Sequence, residues 1–343
     1  MSTARTPKKL SFLHIVPFTR DDPAAGLEDA LDLFAYAEEL GLDGGWIRTR
    51  HIQYGVPSAA VFLSAAAQRT SRIDLGTAVI PTIYESPLRL AEDLALADIL
   101  SGGRLQPGLS VGKAKHDDSV SERILGPRWQ EEDISYDRVE RIRSFLAGVP
   151  VTEGGERAIG LGGVGEFSSD RVEPHSPGLA ERLWYGAGSL RSARWAGEAG
   201  FKLLVSNIST AENSEVFTTV QREQIDLFRS VHAAGEEAVV SVGRVVIPTD
   251  GATDEQRARF ASYVDARTPR TRQPQGERRT IIAPDVLGST ASIVDALRLD
   301  AAVQAADELL FELPFQFGRE DYRHILRVLA EEVGPALGWT PRR

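Results

Sequence analysis

Apolar and polar positions follow two rhythms along this chain. Residues 73–80 and 105–111 are short apolar runs, and residues 87–100 between them carry apolar side chains at helical spacing. Strand, helix and strand with short connections make a βαβ unit of a parallel sheet. Both runs end in small residues, Gly76-Thr77-Ala78 and Gly108, Ser110 and Gly112. Small residues at strand ends let a ligand approach the backbone closely.

The same alternation fills the rest of the chain. Strand patterns recur at 10–16, 45–48, 182–185, 201–206, 238–247 and 308–313. Helical patterns recur at 27–40, 58–69, 136–146, 189–199, 211–234, 254–265, 290–305 and 320–329, with Gly41 and Gly200 as C-cap residues. Eight strands in alternation with helices, without a break in composition, predict one (β/α)8 TIM barrel over residues 1–343. An open doubly wound α/β sheet is the alternative. Residues 150–178 are rich in Gly, Ser and Pro, and residues 266–279 are polar and basic. Both read as loop insertions.

Composition narrows the function. With 42 % apolar residues the 343-residue chain supplies a large core. A net charge of −10 argues against nucleic acid or an anionic membrane surface as partner. The absence of cysteine excludes disulfides, thiolate metal sites and cysteine nucleophiles. No apolar run approaches the roughly 20 residues of a membrane-spanning helix. The basic start MSTARTPKK precedes a short run that contains His14 and ends at Pro17. It reads as a first strand and not a signal peptide, and a cytoplasmic location is expected. None of the six histidines forms a pair at ligand spacing, so no metal is expected.

Gly160-Leu161-Gly162-Gly163-Val164-Gly165 spells a GxGxxG motif but lacks the preceding strand and following helix of a dinucleotide site. Gly186-Ala187-Gly188-Ser189-Leu190-Arg191-Ser192 does lie between a strand and a helix. Backbone N–H groups at that helix start, two hydroxyls and Arg191 suit an anion, and Ser189 equally suits an ordinary cap. His51 follows the second strand and His116 the fourth. Barrel chemistry sits at the C-terminal strand ends, which favours these two over His175, His232 and His324. Glu92, Asp98 and Arg104 read as structural ion pairs.

The segment LGTAVIP…SPLRLAEDLALADILSGGRLQPGLSVG (75–112) resembles the bacterial luciferase-like flavin-dependent monooxygenase family. GLDGGWIRTRH (41–51), RLWYGAGSLRSARWAGEAGF (182–201), VLGSTASIVDAL (286–297) and EEVGPALGW (331–339) agree in order. The resemblance implies a barrel that binds FMN at its C-terminal face, takes reduced flavin from a separate reductase, and inserts oxygen from O2 into a small organic substrate, often as a homodimer. Its alternatives are an F420-dependent oxidoreductase on the same barrel and a flavin-binding protein without catalysis.

Residue by residue, the resemblance puts the flavin ring against Ala78 and Val79, at a cis peptide without proline, with Ser110 facing the ring. Gly188, Ser189 and Ser192 fall where the family holds the flavin phosphate. Val111 stands where some members carry a phosphate-binding arginine, so Arg191 or an arginine of 266–279 would assist. That segment is expected to be mobile when empty and to order over the bound flavin. The family's Glu-His-His after strand two reads Thr49-Arg50-His51 here. His51 is the expected proton-transfer group and Arg50 the electrostatic or structural one. Strand alternation would turn them to opposite sides, so one alone faces the flavin.

Overall fold

The computed structural model describes residues 9–112, 118–153 and 169–342. Eight barrel strands follow chain order: Lys9–His14, Gly44–Ile47, Asp74–Thr77 resumed at Ile80–Pro81, Leu105–Gln106 resumed at Gly108–Ser110, Trp184–Gly186, Lys202–Val205, Val240–Arg244 and Glu308–Glu312. Every pairing among them is parallel. The first halves of the third and fourth strands pair with each other, and so do the second halves. The sheet therefore begins and ends on the same two strands and closes into a barrel, which excludes the open doubly wound sheet.

Helices α1 (Pro23–Glu39), α2 (Ala59–Ala67), α3 (Pro87–Leu100), α4 (Asp118–Leu125), α5 (Tyr136–Leu146), α6 (Leu190–Glu198), α7 (Phe217–Val231), α8 (Asp254–Arg267), α9 (Thr290–Leu299) and α10 (Arg319–Val328) lie outside the strands. The first strand shows how sequence assigns the two sides. Phe12 and His14 point outward, onto Phe34 of α1 and Tyr322 of α10. Leu13 points inward, into a cluster with Trp46, Ala78, Trp184, Leu204 and Leu310. Trp46 and Trp184 meet edge to face at 5.3 Å. Gly76 makes this possible, because a Cβ there would collide with the Trp46 ring.

Deeper in the barrel, toward its N-terminal end, Glu308 is buried and accepts from Ser11 Oγ and, at 3.2 Å, from Trp46 Nε1. Burial pushes its carboxyl up to about 7. Asp98 is also structural. It accepts from Ser176 Oγ at 2.6 Å and pairs with Arg182 at 2.5 Å. Arg104 departs from the expected ion pair and grips the carbonyls of Ala67, Thr70, Ile73 and Ser101.

Other boundaries differ for physical reasons. Residues 211–216 are not helical. The chain first forms a strand, Ile208–Thr210, antiparallel to Thr280–Ile282. The seventh apolar run divides at Val245, and Val246–Pro248 pairs with Val286–Gly288 in a separate two-stranded ladder. Within the expected insertion at 266–279, Arg267 ends α8, residues Thr268–Thr271 form a 3-10 turn, and Gln275 bridges to Thr280. The α4 helix escaped the pattern because Val120 and Ile124 are exposed and it buries Ser121 alone. Residues 154–168 of the other insertion, with the GxGxxG match, lie outside the described residues, as does His116.

Candidate functional site

The second strand delivers three consecutive side chains to the C-terminal mouth, and two of them bind the backbone of the third strand. Arg48 Nε donates to Ala78 O at 3.0 Å, and Thr49 Oγ1 donates to Val79 O at 3.1 Å. The peptide between Ala78 and Val79 is cis. The Arg48 guanidinium also reaches Glu312 Oε2 at 3.1 Å, at the end of the eighth strand. The other carboxylate oxygen, Oε1, accepts Asn207 N–H at 3.0 Å. Gly243 leaves room for this, since a Cβ there would run into Glu312 Oε1. Strands two, three, six and eight are thus tied through one buried carboxylate and one guanidinium.

Arg50 lies two residues beyond Arg48, on the same side by strand alternation. Its N–H donates to Val56 O at 2.8 Å. Gly55 makes room for its stem, because a Cβ there would stand 2.9 Å from Arg50 Cγ and from Ile15 O. Burial, and then the neighbouring Arg48 charge, push the Arg50 guanidinium below its ordinary range, with Glu312 opposing. His51 turns the other way. Its ring packs on Tyr84 with centroids 4.5 Å apart.

Arg48, Arg50 and Glu312 border a cavity of about 190 Å³. Leu13, Ile15 and Leu313 supply apolar wall, and Tyr263, Arg267 and Arg270 supply the roof. Arg267 is held by Asp285, with one hydrogen bond of 3.0 Å, and its guanidinium lies 4.9 Å from the Tyr263 ring centre. His51 does not border the cavity.

The residues assigned to a flavin divide into two groups. At the ring end, Ala78 and Val79 sit at the mouth, and Ser110 O accepts from Thr82 Oγ1 at 3.2 Å. On the phosphate side, a Cβ on Gly188 would have no atom within 4 Å. At the phosphate end the donors are already engaged. Ser189 Oγ accepts Ser192 N–H at 3.2 Å, and Ser192 Oγ accepts the N–H of Ser189 at 3.1 Å and of Gly188 at 3.3 Å. The Glu212 carboxylate accepts Leu190 N–H at 2.6 Å. As it stands, the α6 start holds an acid of the chain itself and does not fit a second anion. Arg191 lies 5.8 Å from the Tyr136 ring centre, and Val111 N–H donates to Tyr185 Oη at 3.3 Å. Of the expected roof arginines, Arg279 is paired with Glu215 at 2.7 Å.

Arg48, Glu312 and Asn207 were not singled out from sequence. A signal for two of them existed. Arg48 shares the strand side of Arg50, and Glu308 and Glu312 both interrupt an apolar strand, where a carboxylate needs partners. No group of three or more His, Asp or Glu side chains among the described residues is arranged to hold a metal. Among them, too, no helix is long and apolar enough to cross a membrane.

A sequence model of the family described as luciferase-like monooxygenase matches residues 10–310. Limonene 1,2-monooxygenase of Rhodococcus erythropolis is 29 % identical over 241 residues, 65 % of this chain and 60 % of that protein. F420-dependent glucose-6-phosphate dehydrogenase of Kineococcus radiotolerans is 31 % identical over 128 residues, 31 % of this chain. The chain thus spans 38 % of that dehydrogenase's length and 60 % of the limonene enzyme's. Among solved structures, a monooxygenase from Streptomyces bottropensis superposes with a TM-score of 0.69 at 18 % identity, covering 95 % of this chain and 99 % of that one. The F420-dependent tetrahydromethanopterin reductase of Methanopyrus kandleri gives 0.65 at 18 % identity, covering 96 % and 99 %. These structural likenesses establish the shared fold.

Proposed function

The chain belongs to the luciferase-like monooxygenase family, and from that premise we propose that it oxygenates a small organic substrate with reduced FMN and O2. The observation that supports this reading is the cavity at the C-terminal strand ends, bordered by Arg48, Arg50 and Glu312. In a barrel, reactions are carried out at that face.

Reduced flavin, when bound, supplies the electrons that activate O2. The chain's own residues do the rest. Arg48 and Thr49 fix the carbonyls of Ala78 and Val79, which gives the ring a rigid wall. Arg50 keeps a positive charge at the cavity and stabilises negative charge that develops there. His51, which packs on Tyr84 outside the cavity wall, is the acid–base group that this reading assigns to the reacting centre. Residues of α8 and the 3-10 turn, Tyr263, Arg267 and Arg270, cover one side of the cavity. Gly188, Ser189 and Ser192 would hold the flavin phosphate only in place of the Glu212 carboxylate that the start of α6 binds now. The same reading includes a separate flavin reductase and a homodimer. Leu88, Leu96, Ile99 and Leu100 of α3 and Val61 of α2 are exposed apolar residues that suit a twofold contact.

The relatives named for F420 support a second reading, hydride transfer with that deazaflavin. Titration of the purified chain with reduced FMN and with reduced F420, followed by product analysis under O2, separates the two. Tighter FMN binding with an oxygenated product upholds the first reading. Tighter F420 binding with O2-independent turnover replaces it.

A further inference from the structure

The cavity carries a surplus of positive charge. Four guanidiniums border it, those of Arg48, Arg50, Arg267 and Arg270. Two are neutralised, Arg48 by Glu312 and Arg267 by Asp285. Among the described residues, the Arg50 and Arg270 guanidiniums form neither a hydrogen bond nor an ion pair. Arg50 is half-buried, with its stem against Gly55, where a Cβ would stand 2.9 Å from Arg50 Cγ. A partly desolvated, unpaired guanidinium is costly unless an anion completes it. The facing wall is apolar and aromatic, with Leu13, Tyr263 and Phe315.

We propose that this cavity seats a small carboxylate-bearing substrate, with Arg50 as the counter-ion of the carboxylate, Arg270 as a second cation at the exposed rim, and the apolar wall against the body of the molecule. Guanidinium and carboxylate match as planar two-point partners. The volume of about 190 Å³ lies below the roughly 300–1,000 Å³ of sites for drug-sized ligands, which limits the substrate to a small acid. The proposal rests on the oxidoreductase reading for what happens to the acid, whereas its binding is independent of flavin.

The experiment is calorimetric titration of the full flavin-free chain with benzoate, phenylacetate and hexanoate, each against its neutral amide. At least one acid is expected to bind tenfold or more tightly than its amide. Arg50→Gln is expected to bring that acid down to its amide with the unfolding midpoint unchanged. Arg270→Gln, at an exposed position, is expected to weaken the acid about threefold, and it carries the test if the Arg50 variant does not fold. Equal binding of all acids and amides overturns the proposal, as does an acid preference that survives in folded Arg50→Gln or is unchanged in Arg270→Gln. The titrations are repeated with saturating FMN and with saturating riboflavin. Retained acid binding upholds a substrate seat. Displacement by FMN and not by riboflavin assigns the cavity to the cofactor phosphate and overturns it. Failure of the FMN reading would leave these flavin-free results standing, so the two failures are distinguishable.

Discussion

Arg48 and Ala78 are joined by a hydrogen bond of 3.0 Å from Nε to the carbonyl oxygen, and the same guanidinium reaches Glu312 at 3.1 Å. The eighth strand therefore fixes the second, and the second fixes the backbone of the third where the flavin ring is expected. One side chain serves as both a stabilising and a positioning group.

Arg48→Ala should lower stability by about 3 kcal/mol, near the low end for breaking a buried ion pair, because the Arg48 side chain keeps 20 % of its surface exposed. The loss comes from Glu312, left charged in the barrel mouth. Arg48→Ala with Glu312→Gln should recover part of it. Urea denaturation of the single and double variants measures both, and an additive double variant would count against the coupling.

His51→Ala should leave flavin affinity within about twofold and lower turnover by about a hundredfold, the scale of a lost acid–base group. Equilibrium flavin titration and steady-state product formation read the two effects separately. Full turnover in this variant would falsify the proton-transfer role.

Glu212→Gln should tighten FMN binding about fivefold, since a charge at a helix start is worth about 1 kcal/mol, and should leave riboflavin unchanged. Ser189→Asp should act in the opposite direction by adding a charge at the same helix start. Equal effects of Glu212→Gln on the two flavins would remove the phosphate from the start of α6.

Two buried groups should give stability a pH dependence of opposite sign. Burial, with no hydrogen bond to either ring nitrogen from the described residues, pushes His14 down to about 3. Between pH 6.5 and 3 the unfolded chain takes up a proton that the folded chain refuses, so stability falls with falling pH. At pH 5 this costs about 2 kcal/mol, which His14→Phe should remove. Glu308, raised to about 7, keeps its proton in the fold after the unfolded chain has released it. Its contribution is present below about pH 4.5 and lost as pH rises through 7, a span of about 3 kcal/mol that Glu308→Gln should flatten. Denaturation series from pH 4.5 to 8 test both signs.

Much of this architecture was legible in the sequence because it rests on local pattern. The amphipathic run at α3 between two apolar runs identified a βαβ unit, and its repetition identified the barrel. What the pattern did not contain was pairing between distant segments. The ribbon of Ile208–Thr210 with Thr280–Ile282 joins residues about seventy apart, so residues 211–216 looked helical and 266–279 looked like a bare loop. The site was legible in part. Alternation foretold that Arg50 and His51 diverge, and the structure shows which way: Arg50 borders the cavity and His51 meets Tyr84. Glu212 at the start of α6 was invisible, because no local pattern links it to Leu190, 22 residues earlier in the chain.

The roof of the cavity comes from one late stretch of chain, from Tyr263 through Ile282, and it meets the barrel mouth through a short antiparallel ribbon beside the strands of the barrel. Frame and cover are consequently separable in descent. Strands two, three and eight, locked to one another through Arg48, tolerate little change. The cover can exchange side chains, lengthen or shorten without breaking a single bond of the barrel ladder. A lineage that inherits this barrel can thus take up new small molecules by rewriting some twenty residues, and differences in diet between related proteins should accumulate there while the frame stays as it was.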